Sequence, residues 1–349
     1  GNTSDTRAFI DAVDLVSNRF GLTELVMVGD RGMITNARIA ELRRSPGLDW
    51  ITALRAPAIA ALASDDGPLQ MSLFDTQNFA EIAHPDYPAE RLICCRNPAL
   101  AEQRARKRRE LIAATDSELD KIAARVAAGK LTGQNDIGVA AGKVINKYKV
   151  GKHFILDITD TSLTYRHDTE KIRTEADLDG IYVIRTSVAT ERLDTPGVIT
   201  AYKNLAHVER DFRIIKVDDL DLRPIFHYLT ERVRSHVFLC MLAAYITWHL
   251  RQTLAPLTYT DEHIPNRADP VSAAQRSPNA KTKDTRRETP DGLPVQSFQD
   301  LLCHLATLNR ETIGFAGQRI EKITNPTPTQ RRVFELLDVD EQRPDDDEP

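Results

Sequence analysis

The stretch "ELVMVGDRGMITNARIAELRRSPGLDWITAL", Glu24 to Leu54, decides the reading of the fold. Its opening apolar run, Leu25 to Val28, has the length of a short buried strand and is stopped by Gly29 and Asp30. "MITNARIAELRRSPG" then reads as a helix that Pro46 and Gly47 end, and "LDWITAL" as a second buried strand. Upstream, "RAFIDAVDLVSNRFGL" sets Phe9, Val13, Val16 and Phe20 at three- and four-residue steps, the spacing of an amphipathic helix. Helix, strand, helix, strand predicts an α/β layered core. Asp30 falls at the carboxyl end of a strand, where open α/β sheets keep their sites. Taken by itself, an aspartate after a strand is more often a turn-former or helix cap.

Beyond Pro68 the pattern changes. "SLFDTQNFAEIAHPDYPAERLICCRNP" mixes turns with a short strand around Leu92 to Cys95, and a long helix is predicted from Pro98 to about Gly129. That helix has a weak apolar seam, Ile112, Leu119, Ile122 and Val126, preceded by the cluster Arg104, Arg106, Lys107, Arg108 and Arg109. The cluster suits a solvated helix face and contact with phosphate about equally. "KHFILDITDTSLTYRHD" reads as a β-hairpin with Asp157 and Asp160 as turn acids, and "DGIYVIRTS" as a further strand. "LRPIFHYLTERVRSHVFLCMLAAYITWHLRQTL" is apolar almost all round from Val233 to Trp248, as expected of a helix buried in a large domain. "DEHIPNRADPVSAAQRSPNAKTKDTRRETPDGLP" has the composition of a linker. Two helices, "SFQDLLCHLATL" and "TPTQRRVFELLDV", the latter opened by Pro328, close the chain.

The expected organisation is thus 1–67 as the first part of an α/β core, 68–195 as a mixed helix and strand insertion, and 196–255 as the second part of the core. A flexible linker at 256–294 and a short helical region at 295–349 with an acidic tail complete it. The 349 residues, with 41% hydrophobic and 28% charged, suit a soluble globular chain of one large or two smaller domains. No apolar run reaches the roughly 18 residues that span a bilayer, so a cytoplasmic protein without a membrane partner is expected. The net charge of −5 argues against a protein basic all over, while the run from Arg96 to Glu110 is strongly basic. Cys94, Cys95, Cys240 and Cys303 show no metal-binding spacing and read as reduced, mostly core residues. His227 and His236 read as structural histidines.

"YKNLAHVERDFRIIK", Tyr202 to Lys216, places one glutamate among cations. At about 100° per residue, Leu205, Val208, Phe212 and Ile215 form an apolar stripe expected to face the core. Tyr202, Glu209 and Lys216, seven residues apart, stack along its edge. Geometry alone permits either a site or a surface ion pair worth at most about 1 kcal/mol.

The pair "VMVGDRGM" and "YKNLAHVERDFRIIK" resembles the second and third acidic motifs of bacterial insertion-sequence transposases of the DDE class. The family's helix signature, Y-x2-R-x3-E-x6-K, is matched by Tyr202, Glu209 and Lys216, with Leu205 standing in the arginine position. The resemblance runs from Gly1 to about Leu337 and implies an RNase H-like core, partial here because its early strands are missing. In that family three carboxylates hold two Mg²⁺ ions, with Mn²⁺ as a substitute, for cleavage and strand transfer of transposon-end DNA. It implies that Asp30 is the second acid and Glu209 the third, both catalytic and both metal ligands. Lys216 would meet a phosphate, Tyr202 would stack or hydrogen-bond near the same end, and Arg210 and Arg213 would be weaker backbone contacts. Double-stranded DNA, transposon end and target, is the implied partner, bound by a homodimer in the bacterial cytoplasm and at the nucleoid.

The family's first acid lies on an early strand, and its place is expected upstream of Gly1. Asp5, Asp11 and Asp14 are the only early aspartates; Asp5 suits a helix cap and the other two fall inside the predicted helix. The chain therefore reads as a carboxyl-terminal portion, inactive alone. Two other readings stand beside it. A structure-selective nuclease of the same fold would hydrolyse DNA without joining a 3′-hydroxyl end to a target. A non-catalytic DNA-binding or dimerisation remnant would bind DNA through the 104–109 cluster whether or not Glu209 is present.

Overall fold

Short runs of β-branched and apolar residues form the central layer. In the computed structural model, residues 13, 15, 16, 19–22, 24–45, 47–64, 67–218, 220, 222–315 and 318–339 are described. Strand β1 (Leu25–Val28) leads through the Asp30 turn to helix α1 (Asn36–Leu42), strand β2 (Leu48–Ala53) and helix α2 (Ala56–Leu62). Strands β3 (Phe79–Ile82) and β4 (Arg91–Arg96) precede the long helix α3 (Pro98–Ala127). Helix α4 (Gln134–Tyr148), the hairpin β5 (Phe154–Ile158) and β6 (Leu163–His167), helix α5 (Thr169–Asp177) and strand β7 (Ile181–Thr186) follow. Helices α6 (Thr195–Lys203), α7 (Leu205–Arg213), α8 (Thr230–Thr253), α9 (Pro278–Arg286) and α10 (Phe298–Leu305) come next. The hairpin β8 (Arg310–Phe315) and β9 (Gln318–Ile323) and helix α11 (Pro328–Leu337) end the described chain.

The main sheet has the order β1-β2-β7-β4-β3, with β1 and β2 parallel and every other pairing antiparallel. Alternation along β4 and β7 builds two apolar faces, as a pleated strand requires. Leu92, Cys94, Ile181 and Val183 face Leu54, Ile59 and Leu62 of the β2–α2 segment. Ile93, Cys95 and Ile184 face Val198 and Ile199 of α6. On a third patch Ile34, Ile39 and Leu42 pack α1 against Trp50 of β2.

This sheet revises the expected domain boundaries. Strands β3, β4 and β7 fall inside the predicted 68–195 insertion, yet they belong to the same sheet as β2: β7 pairs with β2, β4 with β7 and β3 with β4. The physical reason is that "RLICCR" and "IYVIRT" are apolar on both faces, so each needs a layer above and below. The excursion from the sheet is narrower. It leaves at Asn97 and returns at Gly180, where the Asn97 amide donates to the Gly180 carbonyl at 2.9 Å. Asn97 also caps α3 by accepting from the Leu100 amide, and Pro98 begins the helix. Within the excursion, Leu119, Ala141, Val150 and Phe154 join α3 and α4 to the β5–β6 hairpin in a core of their own. The predicted seam of α3 is observed, with Leu119, Ile122 and Val126 buried.

The chain divides into one unit of Gly1–Leu205 with Ala268–Ala273, and a second of Ala206–Arg267 with Ala274–Pro349. The short returning segment is held in the first unit by Lys203, whose Nζ donates to the carbonyls of Pro270, Val271 and Ser272 at 2.7, 2.7 and 3.0 Å. The second unit has its own core of Leu254, Leu257, Phe298, Leu301 and Val333.

Two further expectations are corrected. The 256–294 stretch is an organised segment with its own helix, α9. Lys283, 2% exposed, donates to the Ala255 and Thr260 carbonyls at 3.0 and 2.9 Å and to Glu262 at 2.8 Å. A buried ammonium with three acceptors fixes its surroundings, and a composition count does not register that pairing. Helix α8, expected to be buried, has Cys240 as its one buried residue among those described, while Phe238, Leu239, Tyr245 and Trp248 are exposed. Within its unit α8 meets the core at its carboxyl end, through Leu250. Asp5, Asp11, Asp14 and Phe9 lie outside the described residues. Among the described residues no helix is long and apolar enough to cross a membrane.

Candidate functional site

Asp30 follows β1 after Gly29, at the end of the sheet where the parallel strands β1 and β2 both terminate. Its Oδ1 accepts from the amides of Gly32 at 2.9 Å and Met33 at 2.7 Å, and its carbonyl accepts from Ile34 at 3.0 Å. Asp30 therefore forms the turn, as is common for an aspartate after a strand. The turn occupies only one carboxylate oxygen. Oδ2 has no partner among the described residues, and the exposed side chain lines a shallow depression with Arg31, Gly32, Arg55, Ala56 and Pro57.

A cavity of about 600 Å³ lies in the same unit and shares Arg31 with that depression. Its floor is apolar, built from Leu54, Ile59, Leu111, Leu178 and Ile181, and Tyr202 joins its wall. Its rim is basic: Arg31, Arg104, Lys107, Arg108, Lys149 and Lys152 against Glu175 and Asp179. The basic cluster of α3 thus splits by helical position. Arg108, 8% exposed, forms a two-pronged ion pair with Asp179 and stands 3.7 Å from Glu175. The hydrogen bond to Asp179 raises its guanidinium above the ordinary value. Its role is structural. Arg106 leans on Glu110 at 3.8 Å on the solvent side, while Arg104 and Lys107, one turn apart, face the cavity.

Lys152 is tied to Glu175 at 2.5 Å, and His153 to the same carboxylate oxygen at 2.7 Å. Burial pushes the Glu175 carboxyl up, but hydrogen bonds from Lys152 and His153 outweigh it and hold the group below its ordinary value. Lys149 takes a left-handed conformation, φ 55°, at the carboxyl end of α4, and that turn sets its side chain on the cavity rim. Sequence reasoning singled out neither Arg31 nor Lys149 nor Lys152. The available signal was "NKYKVGKHF", lysines interleaved with aromatic residues just before a hairpin.

The remaining predicted residues follow a break in the chain. The single helix expected from Tyr202 to Lys216 is three pieces: α6 ends at Lys203, α7 runs from Leu205 to Arg213, and Ile214–Asp218 winds as a π-helix. A turn at Asn204 and a wider final turn interrupt the uniform 3.6-residue winding from which the seven-residue stacking was read. Tyr202 packs in the first unit beside Val198 and Ile199. Glu209, Arg210, Arg213 and Lys216 belong to the second unit and are exposed. The apolar stripe is also corrected: Val208 is 49% and Phe212 55% exposed, and no residue of α7 is buried.

Glu209 makes no ion pair or hydrogen bond among the described residues, which leaves both carboxylate oxygens open. Arg210 contacts His207 at 3.2 Å and Asp211 at 3.9 Å, and the Lys216 ammonium sits 5.7 Å from the Phe212 ring centre. Of the other residues weighed from sequence, Asp160 caps α4 by accepting from the Gln134 amide at 3.0 Å, whereas Asp157 lies within β5, not in the turn. His236 contacts the Leu222 carbonyl at 3.4 Å, and His227 stacks edge-on against it. Cys94, Cys95 and Cys240 are buried and Cys303 is exposed, all as free thiols.

Asp30 and Glu209 are hard oxygen donors of the type Mg²⁺ takes. Among the described residues no three His, Cys, Asp or Glu side chains gather for a metal ion. Residues 1–246 match the protein family described as transposase DDE domain. No curated protein and no solved structure matches the chain.

Proposed function

The chain belongs to the transposase DDE domain family, and on that premise we propose that it binds duplex DNA and contributes carboxylates to the cleavage and joining of transposon-end phosphodiesters. The observation that carries this reading is Asp30 at the carboxyl end of β1, with Oδ1 pinned by two backbone amides and Oδ2 open. A carboxylate held from one side and free on the other is preorganised as a ligand. In this proposal Asp30 and Glu209 are two of the acids of an RNase H-like centre, and each would supply carboxylate oxygen to Mg²⁺ or, in its place, Mn²⁺. When bound, such an ion supplies Lewis-acid stabilisation of charge on the phosphodiester oxygens and a nucleophile at neutral pH.

The chain's own groups then divide the work. Lys216 and Arg213, exposed in the second unit, neutralise backbone phosphate without reading sequence. Arg210 is a weaker phosphate contact because Asp211 and His207 already engage it. Tyr202 packs at the edge of the sheet core and lines the basic cavity, so in this proposal it steadies the DNA end from the first unit. Leu205 leaves the signature's arginine position without a cation. Pairing of two transposon ends makes a homodimer on DNA the working assembly, acting in the cytoplasm and at the nucleoid.

With Asp30 and Glu209 the acids assigned to the ion in this proposal, weak ion binding and no robust cleavage are expected of the chain on its own. The test is a Mn²⁺-dependent cleavage assay on duplexes carrying the terminal inverted repeats. DNA binding with little or no cleavage is expected. Robust cleavage by the unaltered chain would overturn that expectation, and cleavage undiminished in Asp30→Asn would overturn the role of Asp30. Hydrolysis without joining of a 3′-hydroxyl end to target DNA would favour the nuclease reading.

A further inference from the structure

We propose that the cavity between α3, the α4–β5 junction and the β2–α2 segment is a docking pocket for the phosphodiester backbone of duplex DNA, separate from the Asp30 and Glu209 carboxylates. The inference rests on the DNA reading above and adds a second contact region to it. Four of the rim cations, Arg31, Arg104, Lys107 and Lys149, make no ion pair or hydrogen bond through their side chains among the described residues. The other two, Arg108 and Lys152, are spoken for by Asp179 and Glu175. The two acids therefore fix the architecture of the pocket and leave its charge uncompensated. Four unpaired cations around one cavity repel one another, an arrangement that a polyanion relieves.

The geometry points to an extended phosphodiester in preference to a small free anion. The cations come from three different parts of the lining: the β1–α1 turn, α3 and the end of α4. Between them lies a floor of Leu54, Ile59, Leu111, Leu178 and Ile181, which suits the apolar face of a deoxyribose. One buried polar atom also waits for a partner. His153, a lining residue 2% exposed, uses Nε2 on Glu175, and its Nδ1 has no hydrogen-bond partner among the described residues. Arg31 lines both this cavity and the depression beside Asp30, so a strand lying across the cavity has a neighbouring cation on the path to that carboxylate.

The experiment uses the full chain, a fluorescently labelled 20-base-pair duplex and anisotropy titrations over a series of salt concentrations. The altered proteins are Lys107→Gln and Lys149→Asn, singly and together. Asparagine tolerates the left-handed backbone of residue 149, and Lys107 is exposed, so the fold is retained. Each substitution is expected to reduce the slope of log affinity against log salt by about 1, and the pair by about 2, equally for duplexes of different sequence. Lys121→Gln, on the same helix but outside the cavity and paired with Glu118, is expected to leave the slope unchanged.

A slope unaltered by the double substitution, or lowered equally by Lys121→Gln, overturns the pocket. Displacement of the duplex by inorganic phosphate at constant ionic strength also overturns it, since the occupant is then a small anion. If the chain binds DNA with a slope that the double substitution leaves unchanged, the pocket fails and the transposase reading stands. If the pocket residues set the slope but Asp30 and Glu209 play no part in metal-dependent chemistry, the transposase reading fails and the pocket stands. Absence of any duplex binding removes both.

Discussion

Glu90 is the keystone of the unit that bears Asp30, and its removal gives a stability change whose size follows from the structure. Its side chain is fully buried and accepts three charge-assisted hydrogen bonds: from Arg185 Nε and Nη2, each at 2.6 Å, and from Arg43 Nη2 at 2.7 Å. Arg185 also donates to Asn36 Oδ1 at 2.6 Å and lies 4.9 Å from the centre of the Tyr87 ring. The network thereby ties β7 to the first residue of α1, the helix that follows the Asp30 turn. Glu90→Ala leaves two guanidinium groups without a carboxylate. Arg43, 40% exposed, rehydrates; Arg185, 9% exposed, does not. Breaking a buried pair in this way costs about 3–5 kcal/mol, on the order of 10 °C in Tm for a unit of this size. Arg43→Ala loses two hydrogen bonds of a partly exposed side chain, to Glu90 and to the Pro88 carbonyl, and is expected to cost about 1 kcal/mol. The assay is urea unfolding followed by tryptophan fluorescence. Trp50 and Trp248 are the two tryptophans, so Trp248→Phe leaves Trp50, 3% exposed beneath Arg43, as the reporter of this unit. A cost for Glu90→Ala within about 1 kcal/mol of that for Arg43→Ala would refute the reasoning. The paired replacement Glu90→Leu with Arg185→Met should recover most of the loss, because an apolar pair leaves no charge uncompensated.

Other outcomes follow from single sites. The Arg91 hydrogen bond to Glu81 holds that carboxyl below its ordinary 4.5, against burial that raises it and with help from Thr195. A depressed folded-state value contributes stability present above pH 4.5 and lost as pH falls through the lower folded value. Acid titration of unfolding should therefore be shallower below pH 4.5 in Glu81→Gln, and an identical profile would count against the contact. Burial pushes the Cys94 and Cys95 thiols up to about 12, so a thiol reagent at pH 8 should modify Cys303 rapidly in the native chain and these two only after unfolding. Rapid modification of Cys94 or Cys95 would contradict their place in the sheet core. Gly180 has φ +77°, and an added Cβ would lie 2.4 Å from the Asn97 carbonyl oxygen. Gly180→Ala should destabilise the chain by more than about 1 kcal/mol in the same urea assay, and a neutral effect would mean that the junction relaxes.

The opening stretch told most of the fold because its signals are local. Apolar runs stopped by Gly29, Asp30 and Gly47 gave β1 and β2 nearly at their observed bounds, and α1 as a helix shorter at both ends than the span read for it. The alternation of "KHFILDITDTSLTYRHD" gave the β5–β6 hairpin, and Thr327 and Pro328 marked the start of α11, where a capping box with Gln330 is observed. Pairing across distance was not legible. Nothing in "RLICCR" says that it joins β7 and not a separate insertion sheet, because both alternatives bury the same residues. The break at Asn204 escaped a reading based on a constant 100° step, since Leu205 and Val208 continue the apolar period across it. The apolar composition of α8 indicated a helix but not its burial, which depends on what packs against it. At the site, the turn placement of Asp30 was readable, while the cavity required α3, α4 and β7 to be brought together. The lysines at 149 and 152 gained their meaning only from that meeting.

The central claim, that Asp30 and Glu209 act as ligands of one divalent-ion centre on DNA, is tested most directly by iron-mediated cleavage of the polypeptide. Fe²⁺ takes the place of Mg²⁺ on the full chain bound to duplex DNA, ascorbate and peroxide generate radicals at the ion, and mass spectrometry maps the cuts. The account predicts cuts beside both Asp30 and Glu209, suppressed by excess Mg²⁺ and lost at both positions in Asp30→Asn. Cuts at neither position, or cuts beside Glu209 that persist unchanged in Asp30→Asn, would contradict it.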